Sequence, residues 1–479
     1  MTLRLAAVDL GATSGRVMVV EVGPDDLGLT EVHRFPNGAA RAADGSLRWD
    51  VRRLYDEVRA GLAHAGRIDG VGIDAWAIDY GLLDDAGELV EAPYCYRDGR
   101  TDGVAARVRE QVGAAELYRR TGVQQLPFNT IYQLVAAADS PAIDRARTML
   151  LVPDLLGYWL TGVPGAERTN ASTTGLYDVR AQAWDTDLAA RVGIDPGLLP
   201  PLRSPGEVLG PAVGLDVPVV AVGSHDTASA VVSVPFADPS AAYISSGTWS
   251  LVGLELDAPV LSEAARLADF TNEAGVDGAT RFLKNVMGLW VLSQSVDAWG
   301  TELTTVLTAA AACEPLRTVV DIDDASLLPP GDMPARIAAL ARSAGEPVPS
   351  TPAEVTRCIL DSLALAYRRT VRRAGALAGR EPRVVHVVGG GSRNELLCQL
   401  SADALGLPVL AGPAEAAAIG NGLVQARALL HLQGSVDLPD LAAMRALVRR
   451  THPPRRYEPR PGADWDAAEQ RLDRVRAEA

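Results

Sequence analysis

The chain has 479 residues, of which 48% are hydrophobic and 22% are charged, so it is long enough for two or three globular domains. Its formal net charge of -15 argues against nucleic acid or an anionic membrane as the main partner. Lys284 is the only lysine, and its surroundings fit neither a Walker P-loop nor the strand lysine of a protein kinase.

The spacing of the cysteines and the pattern of the N-terminal residues predict the cellular compartment in which the protein works. Cys95, Cys313, Cys358 and Cys398 lie far apart in the sequence and form no CxxC pair, which favours a reducing compartment and no zinc site. The opening residues enter a strand without a signal-peptide pattern, and no apolar run approaches the ~18 residues that a membrane span needs. We therefore expect a cytoplasmic protein with no membrane partner.

Two valine-rich strands are predicted at the start of the chain, over residues 3–9 and 16–22. The glycine-rich segment Leu10-Gly11-Ala12-Thr13-Ser14-Gly15 joins them. Because a second strand follows the glycines where a dinucleotide-binding fingerprint has a helix, the segment predicts a hairpin. A polar stretch comes next, and a helix is expected to begin at Trp49 and Asp50 and to run through residue 65.

The rest of the first half alternates strands and helices. We predict strands over residues 68–74 and 217–222, and helices over most of residues 104–160. The later strand leads into Gly223-Ser224-His225-Asp226 and then into a helix of small residues over 227–232.

The same pattern begins again after Pro235. A strand over residues 241–245, a turn at Ser246-Gly247-Thr248 and a strand over 249–254 repeat the opening hairpin, which suggests a duplicated fold. A long helix over 354–378, a strand over 384–388 and a helix over 414–430 follow.

This order predicts two α/β domains with a cleft between them, where ligands commonly bind. We place the domains at residues 1–234, on the sugar and phosphate side, and 235–445, on the nucleotide side. A tail over 446–479 is expected to end in a helix and to pack back on the N-terminal domain.

The first glycine turn is suited to binding phosphate. Backbone N–H groups in a tight turn can hold phosphate without a lysine, and Thr13 and Ser14 add hydroxyl donors. Asp9 ends the preceding strand, where a carboxylate can hold a magnesium ion through water. An ordinary hairpin whose glycines adopt positive φ explains the spacing equally well, so both interpretations stay open.

Asp226 also has two interpretations. An aspartate between a strand and a helix is a common N-cap. Alternatively, Asp226 is a general base that takes the proton from a sugar hydroxyl, with His225 contacting sugar hydroxyls beside it.

Two glycine turns in the second half can bind a nucleotide. The turn at Gly247 and Thr248 could surround the β- and γ-phosphates, and Gly389-Gly390-Gly391 would let a flat adenine ring lie against bare backbone. Each turn alone is also compatible with an ordinary connection. Sugar binding needs polar groups beside an aromatic wall, and the chain offers Trp76, Asp79, Asn129, Asn170 and Asn285.

Four segments occur in a characteristic order: DLGATSGR, SHDTAS, SSGTWS and VVGGGSRN. With them the chain resembles the FGGY family of carbohydrate kinases over roughly residues 4–430, and the resemblance implies the actin-like ATPase (ribonuclease H-like) fold in both domains. The longer runs GIDAWAIDYGLL, LPFNTIYQL, TNASTTGLYD and LKNVMGLW resemble the members of that family that act on L-rhamnulose.

The resemblance implies roles for individual residues. Asp226 would be the catalytic base, and Asp9 and Asp226 would hold Mg²⁺ through water. The expected nucleotide contacts are Asp9, Gly11, Ala12, Thr13, Ser14, Gly15, Arg16, Gly247, Thr248, Gly390, Gly391 and Ser293. The expected sugar contacts are Trp76, Ala77, Asp79, His225, Thr227 and Asn285. Two of these depart from the family pattern, which has glycine at the position of Ala77 and glutamine at that of Ser293.

The expected activity is the ATP- and Mg²⁺-dependent phosphorylation of L-rhamnulose at O1, in L-rhamnose catabolism, by a monomer or homodimer. One alternative is a kinase for another ketose or a polyol, such as L-fuculose or xylulose. The other is an actin-like ATPase without sugar chemistry.

Overall fold

The computed structural model describes residues 1–478, with side chains through Arg474. Contacts group the chain into two compact units. The first unit comprises Met1–Pro235, Glu255–Phe282 and Glu415–His452. The second comprises Phe236–Leu254, Leu283–Ala414 and the chain from Pro453 onward.

The strands in chain order are β1 (Leu3–Leu10), β2 (Ser14–Val22), β3 (Leu27–Pro36), β4 (Ala40–Arg41), β5 (Leu47–Arg48), β6 (Gly70–Ala75), β7 (Tyr80–Leu83), β8 (Thr148–Leu151), β9 (Ala166–Glu167), β10 (Tyr177–Asp178), β11 (Ala183–Trp184), β12 (Leu202–Arg203), β13 (Val208–Pro211), β14 (Pro218–Val220), β15 (Ala242–Ser246), β16 (Trp249–Leu256), β17 (Thr271–Ala274), β18 (Thr280–Met287), β19 (Val385–Val388), β20 (Val409–Ala411) and β21 (Arg455–Tyr457).

The α-helices are α1 (Val51–His64), α2 (Val104–Val112), α3 (Ala114–Thr121), α4 (Thr130–Ala137), α5 (Pro141–Arg145), α6 (Val152–Thr161), α7 (Arg168–Ala171), α8 (Thr186–Arg191), α9 (Asp226–Val232), α10 (Glu263–Leu267), α11 (Trp290–Trp299), α12 (Leu303–Ala311), α13 (Met333–Ser343), α14 (Pro352–Ala378), α15 (Glu395–Leu405), α16 (Ala416–Leu432), α17 (Leu441–Thr451) and α18 (Trp465–Glu478).

The first unit is built on a six-stranded sheet in the order β13-β14-β6-β1-β2-β3. β1, β2 and β3 are antiparallel neighbours, whereas β6 and β14 run parallel to β1. Side chains of β1 alternate between two apolar layers: Ala6 and Val8 pack with residues of α1 and α6, and Leu5 and Ala7 pack with residues of α16 and α17. Because helices cover both faces, β1 reads as an almost continuous hydrophobic run.

The second unit repeats this arrangement. β15 and β16 form an antiparallel hairpin, β19 runs parallel to β15, and β20 runs parallel to β19. The predicted duplication and the α/β class are therefore confirmed by the strand order.

Three details differ from the sequence expectations. The polar stretch after residue 22 contains β3, an edge strand whose face is largely solvated and which therefore lacks a hydrophobic run. The first unit includes Glu255–Phe282 and Glu415–His452, which the predicted boundaries had assigned to the second domain or the tail. The last helix, α18, was expected to pack on the N-terminal domain but groups with the second unit, where Arg368 Nε of α14 lies 2.9 Å from Glu469 Oε2.

Candidate active site

Asp226 is the first residue of α9, directly after the segment that follows β14. The backbone N–H of Ala75 donates to the carbonyl of Ser224 at 2.9 Å, so the segment after β14 continues to pair with β6 as far as Ala75, the last residue of β6. His225 occupies the N-cap position of α9, and the Asp226 carboxylate instead accepts a hydrogen bond from the Thr227 hydroxyl at 3.2 Å. The N-cap interpretation of Asp226 is therefore wrong.

The Asp226 carboxyl belongs to a group of acids at the ends of parallel strands. Asp9 of β1 lies opposite Asp74 of β6, and Asp74 is fully buried. Burial, together with the negative charge of Asp9, raises the pKa of Asp226 and raises that of Asp74 well above its usual range. The Asp226 side chain is 34% exposed, so it combines a raised proton affinity with access to a ligand.

The buried Asp74 carboxyl accepts a hydrogen bond from helix α16. Asn421 of α16 donates to Asp74 Oδ2 at 2.6 Å, and Gln425 donates to Asn421 Oδ1 at 2.6 Å. The other oxygen, Asp74 Oδ1, is buried and has no hydrogen-bond partner among the described residues. Across residues 1–478, no group of three His, Cys, Asp or Glu side chains is arranged to hold a metal ion.

The first glycine turn joins β1 to β2 as a hairpin, as predicted. The Gly11 N–H donates to Ser14 O at 2.9 Å, and the Asn37 side chain donates to Gly11 O at 2.7 Å. A Cβ on Gly15 would lie 2.2 Å from the Phe35 ring, so this position is restricted to glycine by the neighbouring strand. Ala12 and Thr13 form the more exposed part of the turn.

Arg16 joins the turn to two carboxylates. Its guanidinium forms ion pairs with Asp9 of β1 and with Glu415, the N-cap residue of α16. Burial lowers the pKa of Arg16, but Asp9 and Glu415 outweigh it and raise that pKa above its usual value. Glu415 comes nearly four hundred residues after Arg16, so no local sequence signal pointed to it.

His225 lies at the centre of a buried polar cluster. Its Nδ1 is 3.2 Å from Arg281 Nη2 and 3.2 Å from Glu273 Oε2, and its Nε2 is 3.6 Å from Asp226 Oδ1. Burial alone would raise the pKa of Glu273, but Arg281 and His225 lower it below the usual value. Sequence reasoning missed Glu273 and Arg281, because neither stands in a recognisable motif.

Asp79 is completely buried, and both of its carboxylate oxygens are occupied. Asp79 Oδ2 accepts from the Trp49 indole at 2.6 Å, the Trp76 indole at 3.1 Å and the Tyr96 N–H at 3.1 Å, and Oδ1 accepts from Gln133 at 2.9 Å. Burial raises the pKa of Asp79 to about 6, although the hydrogen bonds from these donors act to lower it. Asp79 thus fixes the two indoles, whose rings are 4.4 Å apart.

The turn between Trp76 and Asp79 is strained. Ile78 has a φ of 70°, which is unusual for a β-branched residue. The Thr130 hydroxyl holds this turn by donating to Ile78 O at 2.7 Å. Ala77, where we expected glycine, lies partly exposed in the same turn.

The second hairpin, in the second unit, turns at Gly247 and Thr248. The Gly247 N–H donates to Trp249 O at 2.9 Å, and the N–H groups of Leu289 and Trp290 donate to Gly247 O and Thr248 O. These bonds connect the turn to the start of α11, on which Ser293 is exposed. The predicted residues Gly247, Thr248 and Ser293 therefore lie on connected elements.

The triple glycine lies next to this hairpin. β19 runs parallel to β15, so Gly389–Gly391 follow β19 beside Ser246 at the end of β15. A Cβ on Gly391 would lie 2.0 Å from the Ser246 hydroxyl, whereas Gly390 is exposed with open space above it. Asn285 lies on β18, also in the second unit, and is partly exposed.

Family models match both halves of the chain: the N-terminal domain of the FGGY family of carbohydrate kinases over residues 5–233 and its C-terminal domain over residues 242–429. The chain belongs to the FGGY family of carbohydrate kinases. This FGGY kinase is therefore a phosphotransferase with an alcohol acceptor.

Its curated relatives match it over almost the whole length. The FGGY kinase is 41% identical to a rhamnulokinase from Bacteroides thetaiotaomicron over 96% of this chain and 97% of the relative. It is 43% identical to a rhamnulokinase from Klebsiella pneumoniae strain 342 over 96% and 95%, and 44% identical to one from Enterobacter sp. strain 638 over 91% and 92%.

Solved structures share the fold of the FGGY kinase at low sequence identity. Gluconate kinase from Lactobacillus acidophilus superposes with a TM-score of 0.78 at 16% identity, covering 100% of this chain and 97% of that one. Xylulose kinase from Rhodospirillum rubrum gives a TM-score of 0.78 at 18% identity, covering 100% and 99%. The predicted two-domain kinase fold is confirmed.

Within the described part of the FGGY kinase, no helix is both long enough and apolar enough to cross a membrane.

Proposed function

We propose that this FGGY kinase transfers the γ-phosphoryl group of ATP to O1 of L-rhamnulose in L-rhamnose catabolism. The observation that supports the proposal best is a partly exposed carboxylate, Asp226, beside a buried imidazole in a chain that matches rhamnulokinases over almost its full length. The four cysteines are free thiols, which suits a reducing compartment, and we propose that the enzyme works in the cytoplasm as a monomer or homodimer.

Asp226 is the general base of the proposed reaction. Its carboxylate accepts the proton of the O1 hydroxyl while that oxygen attacks the γ-phosphorus, and the bond from phosphorus to the bridging oxygen of ADP breaks. Burial and the charge of Asp9 raise the pKa of Asp226, which strengthens it as a proton acceptor. The Thr227 hydroxyl donates to Asp226 Oδ1 and so helps to fix the orientation of the carboxylate.

The first glycine turn holds the phosphates in this proposal. Its backbone N–H groups, the hydroxyls of Thr13 and Ser14, and the Arg16 guanidinium surround the position after β1 where Asp9 ends the strand. Arg16 already balances Asp9 and Glu415, so its main effect is to fix the turn and the Asp9 carboxylate.

Mg²⁺ fits the acids of the first unit through water. Mg²⁺ keeps several waters and binds through one or two carboxylates plus phosphates, where it neutralises phosphate charge. Asp9 and Asp226 supply two carboxylates, and the buried Asp74 Oδ1 offers a further acceptor for a bound water. We propose that Asp9 and Asp226 hold the hydrated ion.

The remaining nucleotide contacts of this proposal belong to the second unit. Thr248 presents a hydroxyl at the second hairpin, Gly247 adds no side chain there, and Gly390 and Gly391 present bare backbone beside it. Ser293, on the adjoining helix, provides a shorter side chain than the glutamine of the family pattern.

The sugar contacts proposed for the first unit are His225, Thr227, Ala77 and Trp76, and the second unit adds Asn285. Asp79 is saturated by protein donors, so we propose that it acts on the sugar indirectly by fixing Trp76 and Trp49.

The proposal is tested first by sugar-dependent ADP release. Purified protein is given Mg-ATP with L-rhamnulose, L-fuculose, D- and L-xylulose, L-ribulose or glycerol. We expect L-rhamnulose to give the highest kcat/KM. A preference for another sugar would identify a different ketose kinase and assign the change to Ala77, and ATP hydrolysis without any sugar response would reject the sugar-kinase proposal.

The role of Asp226 is tested separately with Asp226→Asn. Removing a general base costs about 10²–10⁴-fold in rate, and we expect kcat to fall by that factor with little change in the KM for ATP. Glu110→Gln, on the exposed side of α2, serves as a charge-matched control and should keep full activity. A folded Asp226→Asn protein with normal turnover would show that another group is the base.

A further inference from the structure

A buried ion pair contacts His225 at Nδ1, whereas Asp226 lies near Nε2. Glu273 of β17 and Arg281 of β18 are joined through Arg281 Nη2 and Glu273 Oε2 at 3.0 Å, and both belong to the first unit with His225. Arg281 is 0% exposed and Glu273 is 4% exposed. A buried ion pair is a poor source of net stability, so its presence against a ligand-facing histidine calls for another explanation.

The contact at His225 Nδ1 determines where the imidazole proton lies. Arg281 Nη2 is within hydrogen-bonding distance of Nδ1, at 3.2 Å, and a guanidinium can only donate. Arg281 cannot rotate freely to avoid this contact, because its Nε donates to Ala274 O at 3.1 Å. Glu273 Oε2 is also 3.2 Å from Nδ1, but this oxygen makes no hydrogen bond among the described residues, so Nδ1 accepts from Arg281. A neutral imidazole that accepts at Nδ1 carries its proton on Nε2.

The Nε2 position faces the catalytic carboxylate. It is 3.6 Å from Asp226 Oδ1, which is longer than a direct hydrogen bond. A sugar hydroxyl near both groups would accept a hydrogen bond from Nε2–H and keep its own proton for Asp226. With the proton on Nδ1 instead, Nε2 would be an acceptor and would compete with Asp226 for the hydroxyl proton.

We propose that Arg281 and Glu273 are positioning residues that hold His225 as the Nε2–H tautomer, so that His225 orients the attacking hydroxyl toward Asp226 and does not act as a base. The part of this proposal that concerns the hydroxyl rests on the proposed kinase function. The tautomer itself does not, because it follows from contacts within the protein. Glu273 offsets the buried charge of Arg281 and keeps the guanidinium against Nδ1.

The tautomer is measured directly in the wild-type protein without substrate. Long-range ¹H–¹⁵N NMR on protein labelled at histidine distinguishes protonated from unprotonated ring nitrogens, and the chain has only six histidines. The signals of His225 are assigned as those missing from the spectrum of His225→Gln. We expect an unprotonated Nδ1 and a protonated Nε2 at pH 7.5; a protonated Nδ1 would overturn the proposal.

Variants of the ion pair link the tautomer to activity. Arg281→Met removes the donor to Nδ1, and we expect the His225 spectrum to show proton on Nδ1 and kcat to fall by about 10- to 100-fold, as for loss of a charge-assisted hydrogen bond. Arg281→Lys keeps charge and a donor and should recover part of kcat. A purely structural ion pair would lower the melting temperature in both variants without changing the tautomer, and that result would reject the proposal.

Two replacements of His225 test which ring nitrogen is needed for activity. Glutamine carries its amide out to the Nε2 position, whereas the asparagine amide reaches only the Nδ1 position. We expect His225→Gln to keep at least about ten times more kcat than His225→Asn, because only the glutamine can donate to the sugar hydroxyl. Equal losses, or a better asparagine variant, would contradict the assigned role of Nε2–H.

The failure of this inference is distinguishable from the failure of the proposed function. The sugar panel uses wild-type protein and reports the substrate, whereas the NMR measurement needs no substrate. An Nδ1–H tautomer in a protein that phosphorylates L-rhamnulose would reject only the positioning role of Arg281 and Glu273.

Discussion

Asp226 differs from the other acids of the first unit in its accessibility. Asp9 and Asp74 are buried and held by Arg16 and Asn421, whereas the Asp226 side chain is partly exposed and accepts from Thr227. Burial raises the pKa of both Asp74 and Asp226, but only the Asp226 side chain is accessible to a ligand. Accessibility therefore favours Asp226 as the proposed base.

The raised pKa of Asp226 predicts a pH dependence of activity. The base must be ionised, so kcat/KM for the sugar should fall as the pH drops through that pKa, at a pH above the ~3.9 of an ordinary aspartate. Initial rates between pH 4 and 8 measure this, with reassay at pH 7.5 after acid exposure to confirm that the protein stays folded. A constant kcat/KM down to pH 4 would contradict the assignment.

The raised pKa of Asp79 predicts that the stability of the folded protein depends on pH. Its pKa of about 6 in the folded protein exceeds that of the unfolded chain, so the folded state binds this proton more tightly. The free energy of unfolding contributed by Asp79 therefore falls as the pH rises from about 4 to about 6 and is constant above that range.

The test compares urea unfolding of the wild type and Asp79→Asn at pH 4.5 and 7.5. The asparagine cannot ionise, so the wild type should lose about 2 kcal/mol relative to the variant over this interval. The amide of Asp79→Asn also changes the free energy of unfolding by an amount that does not depend on pH, and this amount cancels when the two pH values are compared. Parallel pH curves for the two proteins would show that Asp79 titrates normally.

At the level of elements, α9 and α16 approach so closely that their backbones touch. A Cβ added to Gly420 of α16 would lie 1.8 Å from Ser229 O of α9. α16 also carries Asn421, which holds Asp74, so this contact sets the distance between the helix of the base and the acids of the sheet. A glycine in the middle of a helix costs about 1 kcal/mol, and this close packing accounts for it.

Gly420→Ala should therefore destabilise the protein although alanine favours helices. We expect a loss of about 1–3 kcal/mol in the free energy of unfolding, measured in urea, and a lower kcat because α9 carries Asp226. Gly38→Ala is the matched control, since its added Cβ meets nothing within 4 Å. Unchanged stability of Gly420→Ala would mean that the two helices can separate without cost.

For the whole molecule, each unit contains a hairpin followed by parallel strands, and each brings its ligand-binding candidates to the ends of those strands. In the first unit Asp9 and Asp74 are the penultimate residues of β1 and β6, and in the second β15 ends at Ser246 and Gly389 directly follows β19. This is the edge at which open α/β sheets bind ligands. Duplication thus supplies two related sites with different chemistry, an acidic one and a glycine-rich one.

Sugar binding should stabilise the folded molecule by mass action. At one hundred times its Kd a ligand adds about 2.7 kcal/mol, which for a chain of this length corresponds to an increase of about 3 °C in Tm. Differential scanning fluorimetry with L-rhamnulose and without nucleotide measures the shift, with glycerol at equal concentration as the control. Equal shifts for both compounds would show that binding does not discriminate between them.

Features that depend on neighbouring residues could be predicted from the amino-acid sequence alone. Strands β1 and β2, their glycine turn, the repeat at β15 and β16, and the helix after Asp226 follow from hydrophobic periodicity and from glycines at turns. The family, and with it the two-domain kinase fold, followed from short motifs in a fixed order. Edge strand β3 was missed because its solvated face leaves no hydrophobic run.

The side chains that support the candidate site could be identified only from the packing of the folded chain. Glu415 pairs with Arg16 across 399 positions, Asn421 with Asp74 across 347, and Arg281 with His225 across 56. Such partners are chosen by the packing of distant elements, so neither spacing nor periodicity encodes them. Sequence motifs predict Asp226 as the base and residues 11–16 as the phosphate turn, whereas the buried groups around them became visible only once the sheet brought them together.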